Sequence, residues 1–371
     1  MLRIGIVGVR GLSLALGFEL HPEAEITALC DLDESVLSAQ GDKHGIAQRY
    51  RVYEDMLAAD IDAVVIATPM HCHVPQALQA LAAGKHVLCE VTAGISMDEL
   101  WWLIEAVEAR GLTYMMAENY CYIPENQLIN AMVQEGLFGE VYYGEGEYLH
   151  DVKHLAIPAS GVPTWRKYWQ LGRHGNVYPT HSLGPVAQWF DGDRIVSVSC
   201  VGTGRFTDPR FQQEDTTVTL CQTESGRLIR LRLDGISERP HNLSYYALQG
   251  TGGCYEAPRG LGDDHKIWLQ GMDETTDSAR WRPLKDFADY LPERFRTATE
   301  KQRGAGHWGG DFFIVADFVD AVINGCRPPV DVYDACEWTA VGLLSAESLA
   351  KRGCPVDVPD FRRRKETQRH G

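Results

Sequence analysis

Two glycines and an aspartate near the start of the chain have the spacing of a nucleotide-binding turn. Gly8 follows the apolar run 2–7, and Asp31 follows a second apolar run, 24–30. Glycines let a backbone approach a pyrophosphate, the helix start that follows offers unpaired N–H groups, and an acid about 20 residues further on accepts hydrogen bonds from a ribose diol. The spacing favours NAD over NADP, because Asp31 would repel a 2′-phosphate; glycines serving only a tight turn are the alternative. The predicted cofactor residues of this turn are Gly8, Val9, Arg10, Gly11 and Asp31.

The length and charge of the chain bound its class. A chain of 371 residues suits two domains. The formal net charge of −16 disfavours nucleic acid and anionic membranes as partners, and no apolar run reaches membrane-spanning length. The ten cysteines lie mostly in apolar runs and form no Cys-x-x-Cys pair, which indicates reduced thiols in a cytoplasmic protein.

The first third of the chain alternates between apolar strands and helical segments. The further predicted strands are 61–67, 87–90 and 113–117, and the predicted helices are 12–20, 34–44, 74–83 and 97–110. Such alternation implies an α/β fold with a parallel, doubly wound sheet. Ligands bind at the carboxyl ends of these strands, so the loops after Val7, Cys30, Ala67, Cys89 and Ala117 should converge on one crevice. We therefore predict an N-terminal Rossmann domain over residues 1–120.

Beyond residue 120 the hydrophobic period changes from helical to alternating. The predicted strands are 141–149, 194–202, 215–222, 227–234 and 243–249, and the predicted helices are 124–135, 311–324 and 335–351. These indicate a C-terminal α+β domain over 121–357 with a large, mostly antiparallel open sheet. The part of the sheet that its own helices leave uncovered favours a homodimer or homotetramer. Residues 358–371 are expected to form a frayed basic tail.

The loops of the first domain carry the motifs of a known family. The run 66–69 with His73, and the run 84–87 leading into Cys89 and Glu90, resemble the glucose–fructose oxidoreductase, inositol dehydrogenase and MocA family. Many members have a lysine after this glutamate, near the nicotinamide and the sugar hydroxyl, where this chain has Val91. The resemblance implies tightly bound NAD and a small-molecule sugar or glycoside as substrate. The cofactor contacts that it implies are Thr68, Pro69, His73, Glu90, Val91 and Asn119.

One branch of that family also lacks this lysine. The runs 116–122, 136–140, 146–151, 164–166 and 176–181 resemble NAD-dependent glycoside hydrolases exemplified by bacterial α-N-acetylgalactosaminidase. Two positions depart from the branch, because Thr92 stands where it usually has proline and His241 where it commonly has tyrosine. The substrate contacts that the resemblance implies are Glu118, Tyr148, Arg166 and His241.

Tyr178 and His181 are the predicted catalytic residues. Removal of a hydride from a ring carbinol needs a base for the hydroxyl proton. A histidine titrates near working pH, and a tyrosine can relay a proton once its pKa is depressed. The alternatives are that His181 caps a helix and that Tyr178 packs at a domain junction. Arg166 offers a planar fork for sugar hydroxyls or an acidic substituent, and a salt bridge on a loop is the alternative. Glu118 orients a neighbour or binds substrate.

Histidines elsewhere raise a metal alternative. His71 and His73 flank Cys72, and the pair His150-Asp151 precedes His154. Neither group has a familiar zinc spacing, and His73 matches the cofactor loop of the family. We therefore expect no metal.

Three functions remain open from the sequence. The first is a redox-neutral glycosidase that oxidises a ring hydroxyl, probably at C3, eliminates the aglycone, adds water and returns the hydride. The second is an NAD-dependent sugar or polyol dehydrogenase that releases NADH. The third is a non-catalytic NAD sensor. Tyr178 and His181 disfavour the sensor, because a sensor needs no proton-transfer pair.

Overall fold

The computed structural model describes residues 1–363, and its first part is built on a six-stranded sheet. The strands are β1 (Leu2–Val7), β2 (Ala24–Cys30), β3 (Gln48–Tyr50), β4 (Ala63–Ile66), β5 (His86–Cys89) and β6 (Tyr114–Met116). The helices are α1 (Ala15–Leu20), α2 (Glu34–Lys43), α3 (Tyr53–Leu57), α4 (His73–Ala82) and α5 (Met97–Arg110), and α6 (Pro124–Gln134) follows as the first helix of the second part. All neighbouring strands are parallel, in the order β3-β2-β1-β4-β5-β6. The predicted doubly wound sheet is confirmed.

The turn after β1 differs from the predicted single helix over 12–20. A 3₁₀ helix, Val9–Leu14, comes first, and α1 begins only at Ala15. The amide of Gly11 donates to the carbonyl of Gly8 at 2.9 Å, which is the i to i+3 bond of the tighter helix. Gly8 has a φ of 84°, and a Cβ there would lie 2.6 Å from the carbonyl oxygen of Ala67. Glycine is therefore required for β1, its turn and the end of β4 to pack this closely.

The second part is built on a nine-stranded sheet. Its strands are β7 (Val141–Leu149), β8 (Ile195–Gly202), β9 (Thr217–Thr223), β10 (Leu228–Asp234), β11 (Asn242–Gly250), β12 (Gly253–Glu256), β13 (Lys266–Leu269), β14 (Arg282–Pro283) and β15 (Val356–Asp357). The order is β14-β13-β12-β11-β7-β10-β9-β8-β15, and only β7 and β10 among these neighbours run parallel. The mostly antiparallel sheet is confirmed, but the sequence missed β12 to β15 because each has four residues or fewer.

Two helices cover one face of this sheet: α9 (Thr180–Trp189) packs on β7, β10 and β11, and α13 (Val332–Ala350) packs on β8 and β15. The other helices of this part are α7 (Lys153–Ala156), α8 (Trp165–Trp169), α10 (Glu293–Arg296), α11 (Glu300–Arg303) and α12 (Gly310–Asn324). Glycines in β7 let α9 come close, since a Cβ on Gly146 would lie 1.9 Å from the carbonyl oxygen of Ser182. The side chains of Val201, Leu220 and Leu228 are exposed on the opposite face.

The start of the predicted tail packs against the protein. Val358 and Phe361 are buried, and the ring of Phe361 lies 4.8 Å from that of Trp101 on α5. The expected fraying is therefore wrong for these residues, whose side chains are apolar. Residues 364–371 of the predicted tail lie outside the described residues.

Helix α12 joins the two parts of the molecule beside the predicted cofactor turn. It packs on α1, where a Cβ on Gly17 would lie 2.9 Å from Val315 Cγ2 and 3.0 Å from the carbonyl oxygen of Asp311. The N-terminal end of α12 is thereby held close to the Gly8 turn. In residues 1–363, no helix is long and apolar enough to cross a membrane.

Candidate active site

A cavity of about 270 Å³ is lined by both parts of the molecule. Loops after β1, β5 and β6 contribute, so three of the five loops expected to converge do so. The predicted site residues that line the cavity are Arg10, Glu90, Val91, Asn119, Tyr148, Arg166, Tyr178 and His181. The lining residues that were not predicted as site residues are Ser13, Leu14, Ala117, Tyr120, His150, Val152, Leu155, Gln170, Leu243, His307, Trp308, Asp311 and Ile314.

His181 is held by a carboxylate that lies behind it. Its Nδ1 donates to Oε1 of Glu118 at 2.6 Å, and Glu118 is fully buried. The main-chain amide of Tyr120 also donates to this oxygen, at 3.2 Å. With Nδ1 committed to Glu118, the lone pair lies on Nε2, and His181 lines the cavity. Glu118 therefore orients the histidine rather than lining the cavity itself, as one of the two sequence interpretations held.

Aromatic rings surround the imidazole of His181. Tyr120 stacks on it with 4.0 Å between ring centroids, while Tyr148 and Tyr178 approach edge-on at 5.2 and 4.9 Å. His181 lies near the start of α9, lines the cavity and is nine-tenths buried. Packing on three sides fixes the ring and keeps water from it, as a positioned base requires.

Tyr178 differs from expectation in its acidity. Burial raises the pKa of Tyr178 to about 12, although the nearby guanidinium of Arg166 opposes the rise. The expected depression of the pKa of Tyr178 is therefore wrong. The pKa rises because burial removes the water that would hydrate the phenolate. A neutral phenol can donate or relay a proton but does not act as a base.

A second histidine lies further along the cavity wall. The side chains of Tyr148 and His150 form a hydrogen bond, Oη to Nδ1, of 2.7 Å. Burial lowers the pKa of His150 to about 4, with repulsion from His241 contributing. The exposed ring of His241 lies 4.7 Å from that of His150 but does not line the cavity. His241 is thus in contact with a lining residue rather than in the site predicted for it.

Arg166 lines the cavity from the start of α8. Thr164 caps this helix by accepting from the amide of Arg166 at 3.3 Å. The guanidinium donates to Oε1 of Gln170 at 2.6 Å and lies 4.5 Å from the ring of Trp165. Within residues 1–363 no carboxylate pairs with Arg166, so its remaining donors suit sugar hydroxyls better than the alternative salt bridge.

On the cofactor side, the acid and the glycine turn come together as predicted. Oδ2 of Asp31 accepts from the amide of Val9 at 2.9 Å. Arg10 forms an ion pair with Glu90, Nε to Oε2 at 3.2 Å, which joins the loops after β1 and β5. Asn119 lines the cavity, and its buried Oδ1 has no hydrogen-bond partner among the described residues. These groups fit NAD: the unpaired oxygen of Asn119 suits the carboxamide, the guanidinium of Arg10 suits the diphosphate, and the carboxylate of Asp31 suits a ribose diol.

His73 lies behind the cofactor loops rather than in contact with the cavity. Its ring is buried, with Nδ1 2.7 Å from the carbonyl oxygen of Thr92 and Nε2 2.8 Å from that of Thr68. Burial opposes its charged form, but Cys89 and the two carbonyls raise the pKa of His73 to about 9. The charged ring therefore ties the loop after β4 to the loop after β5. Thr68 borders the Gly8 turn, and neither Thr68 nor Pro69 lines the cavity.

The histidines considered as metal ligands have other contacts. His71 stacks on Trp169 with 5.0 Å between centroids, and His150 bonds Tyr148. Among residues 1–363, no three side chains of histidine, cysteine, aspartate or glutamate are arranged to hold a metal ion.

Comparisons with known proteins match the two parts separately. Residues 2–118 match the family described as "Oxidoreductase family, NAD-binding Rossmann fold", and residues 122–368 match "Glycosyl hydrolase 109, C-terminal domain". The N-terminal part is thus an NAD-binding domain.

Curated relatives and solved structures agree with these matches. A glycosyl hydrolase family 109 protein of Saccharopolyspora erythraea is 33% identical over 97% of this chain and 83% of its own. Another, from Shewanella amazonensis, is 33% identical over 97% and 86%. The solved structure of levoglucosan dehydrogenase in complex with NADH superposes with a TM-score of 0.80 at 19% identity, covering 97% of this chain and 99% of its own. At that identity the likeness shows the shared fold.

Proposed function

The chain belongs to glycosyl hydrolase family 109 and is an NAD-dependent enzyme that acts on sugars, and we propose that it is a redox-neutral glycosidase. It would oxidise a ring hydroxyl at C3, eliminate the aglycone, add water and restore the hydroxyl. The observation that carries this proposal is the pair of His181 and Glu118, a single oriented base on the cavity wall. Val91 lines the cavity where related dehydrogenases have a lysine, so His181 is the base that remains.

In the first step the C3 hydroxyl gives its proton to Nε2 of His181, and its carbon loses a hydride. NAD, when bound, supplies the hydride acceptor and afterwards the hydride donor. The developing imidazolium is stabilised by Glu118, whose carboxylate accepts its Nδ1 proton at 2.6 Å. Tyr178, neutral because of its raised pKa, donates a hydrogen bond to the oxygen on C3 of the sugar.

The ketone at C3 acidifies the proton on C2, so elimination removes this proton and breaks the bond from C1 to the aglycone oxygen. The proton and the aglycone leave together as the free alcohol, and a double bond forms between C1 and C2. Water then adds across the double bond, with its oxygen at C1 and a proton at C2. Return of the hydride and of the proton on His181 restores the C3 hydroxyl. The sum is hydrolysis, with no net oxidation.

The residues that would hold the parts of this complex come from both sheets. Arg10 and the turn from Gly8 to Gly11 would hold the diphosphate, Asp31 the adenosine ribose, and Asn119 the carboxamide. Arg166 and Tyr148 would bind sugar hydroxyls. The cofactor should remain bound between turnovers, because the reaction leaves it in its starting state.

The test is a panel of aryl glycosides incubated with holoenzyme in deuterated water, with and without added NAD. Aglycone release without a lasting change in nicotinamide absorbance, and with solvent deuterium at C2, is the expected result. Active enzyme that forms product without deuterium at C2 would exclude elimination.

A sugar dehydrogenase that releases NADH is the second candidate. The observation in its favour is the likeness to levoglucosan dehydrogenase, whose fold covers 97% of this chain. In the same panel, this reading requires nicotinamide absorbance to rise in proportion to added NAD without aglycone release.

Surface and thiol chemistry support proposals for the assembly and the location of the protein. The exposed Val201, Leu220 and Leu228 give the open sheet face apolar area that a second copy of this chain would bury in a homodimer or homotetramer. All ten cysteines are free, which suits the reducing cytoplasm.

A further inference from the structure

A turn of the second part lies on the cofactor side of the cavity and has no role in the chemistry above. It is the segment 306–309, immediately before α12, and it is called the α12 turn below. His307 and Trp308 line the cavity together with Arg10 and Ser13, which belong to the 3₁₀ helix after Gly8. The packing of α12 on α1 holds the turn there.

The backbone of the α12 turn is strained. His307 and Trp308 have φ values of 46° and 59°, and Gly309 follows at 87°. Consecutive left-handed residues other than glycine cost of the order of 1–3 kcal/mol each and persist mainly at functional sites. The indole of Trp308 is nevertheless 55% exposed, so burial of this large ring does not account for the strain.

The charge of the α12 turn suits an anion. Nδ1 of His307 donates to both carboxylate oxygens of the buried Asp311, at 2.9 and 3.0 Å. This bond raises the pKa of His307, although burial and Arg10 oppose it. Nε2 has no hydrogen-bond partner among residues 1–363, and the cationic Arg10 is close by. The His307 ring and the Arg10 guanidinium thus line the cavity together with Ser13 of the 3₁₀ helix after Gly8, the turn that would hold a diphosphate.

We infer that the α12 turn is a second-domain clasp for bound NAD, in which His307 contacts the diphosphate and Trp308 shields it from solvent. The inference rests on the proposed function, because a cofactor that is reduced and reoxidised within one turnover has to stay bound throughout. It assigns a role to two residues that the chemistry of the sugar does not require.

The test measures NADH release from the holoenzyme after dilution, by the loss of bound-nicotinamide fluorescence. Two variants suit the left-handed backbone, which asparagine and glycine both tolerate: His307→Asn removes the cation and Trp308→Gly removes the shield. Matched controls are His174→Asn, from a histidine–carboxylate pair outside the cavity lining, and Trp102→Gly, from an indole that is 53% exposed on α5.

Release should be about tenfold faster in His307→Asn and several-fold faster in Trp308→Gly, with both controls within twofold of wild type. Melting of the NAD-free Trp308→Gly protein should be no lower than that of wild type, because glycine relieves the strain. Added salt should accelerate release from wild type more than from His307→Asn.

Release within twofold of wild type in both variants would overturn the inference, and so would faster release accompanied by an equal loss of stability in the NAD-free protein. No glycoside is present in this measurement. A failure of the glycosidase proposal would therefore appear only in the substrate panel, and a failure of the clasp only here.

Discussion

Two histidine–carboxylate pairs lie at the cavity, and they are built differently. In one, His181 lies in the regular helix α9 and bonds one oxygen of Glu118, from 63 residues away in the chain. In the other, His307 lies in a strained turn and bonds both oxygens of Asp311, four residues ahead. Tyr120 joins them, stacking on His181 and meeting the edge of Trp308 at 6.1 Å.

The difference teaches how one motif serves two purposes. A base must give and take a proton in a fixed place, so His181 is packed by three rings on a rigid helix. A clasp must hold a charge, and the two-oxygen bond to Asp311 raises the pKa of His307 and so favours its cationic form. The predictions below test whether chemistry and cofactor retention separate between the pairs in this way.

The largest effect is expected for His181→Ala. Loss of general base catalysis should lower kcat by about 10²- to 10⁴-fold, while NADH release stays unchanged, because the residue serves the sugar side. Steady-state aglycone release and NADH retention measure the two sides. His174→Ala is the control, since His174 bonds Glu214 at 2.7 Å outside the cavity lining. Faster NADH release from His181→Ala with an unchanged kcat would contradict the assignment of His181 to the chemistry rather than to cofactor retention.

Asp31→Ala should weaken NAD binding next most strongly. A charge-assisted hydrogen bond contributes about 1.5–3 kcal/mol, which corresponds to about a 10- to 150-fold rise in Kd. The variant should also narrow the preference for NAD over NADP, because it removes the charge that repels a 2′-phosphate. Calorimetric titration of the NAD-free protein with both dinucleotides measures this. Equal binding of NADP by the unmodified protein would contradict the assignment.

Much of this arrangement could be predicted from local patterns. The glycine turn, Asp31 and the strand alternation sufficed to predict the parallel sheet and the approach of the loops after Val7 and Cys30, which the bond from the Val9 amide to Asp31 joins. The motif with Tyr178 and His181 sufficed to predict a residue pair on the cavity wall. These features depend on neighbours in sequence or on the period of apolar residues. The boundary between the domains near residue 120 stays a prediction.

What the sequence did not predict depends on tertiary contacts. His73 matched a cofactor loop by position, yet its two ring nitrogens face carbonyls of two separate loops. His307 lies near the cavity only because α12 packs on α1. Its glycine-rich surroundings, residues 304–310, were the one local signal that could have drawn attention to it.

Tyr178→Phe should have a moderate effect and so sharpen the division of labour around the base. Because the pKa of Tyr178 is raised to about 12, the phenol is neutral at working pH and contributes a hydrogen bond rather than a charge. Loss of one neutral bond predicts about a two- to tenfold fall in kcat. The measurement compares kcat of Tyr178→Phe with kcat of His181→Ala on the same aryl glycoside. Equal losses of kcat would indicate that Tyr178 is the base.

The smallest effect is the pH dependence of cofactor retention. The bond to Asp311 raises the pKa of His307 above its ordinary 6.5, with Glu90 adding to the rise and Arg10 opposing it. The contribution of protonated His307 to cofactor retention is therefore complete below pH 6.5 and is lost as the pH rises through the raised pKa of His307. NADH release should quicken by about threefold, because the neutral ring keeps its one proton on Nδ1 for Asp311, so Nε2 can no longer donate a hydrogen bond to the diphosphate. Release rates between pH 6 and 9 test this. His307→Asn should lose the dependence while His174→Asn keeps it, and an unchanged dependence in His307→Asn would assign the titration to another group.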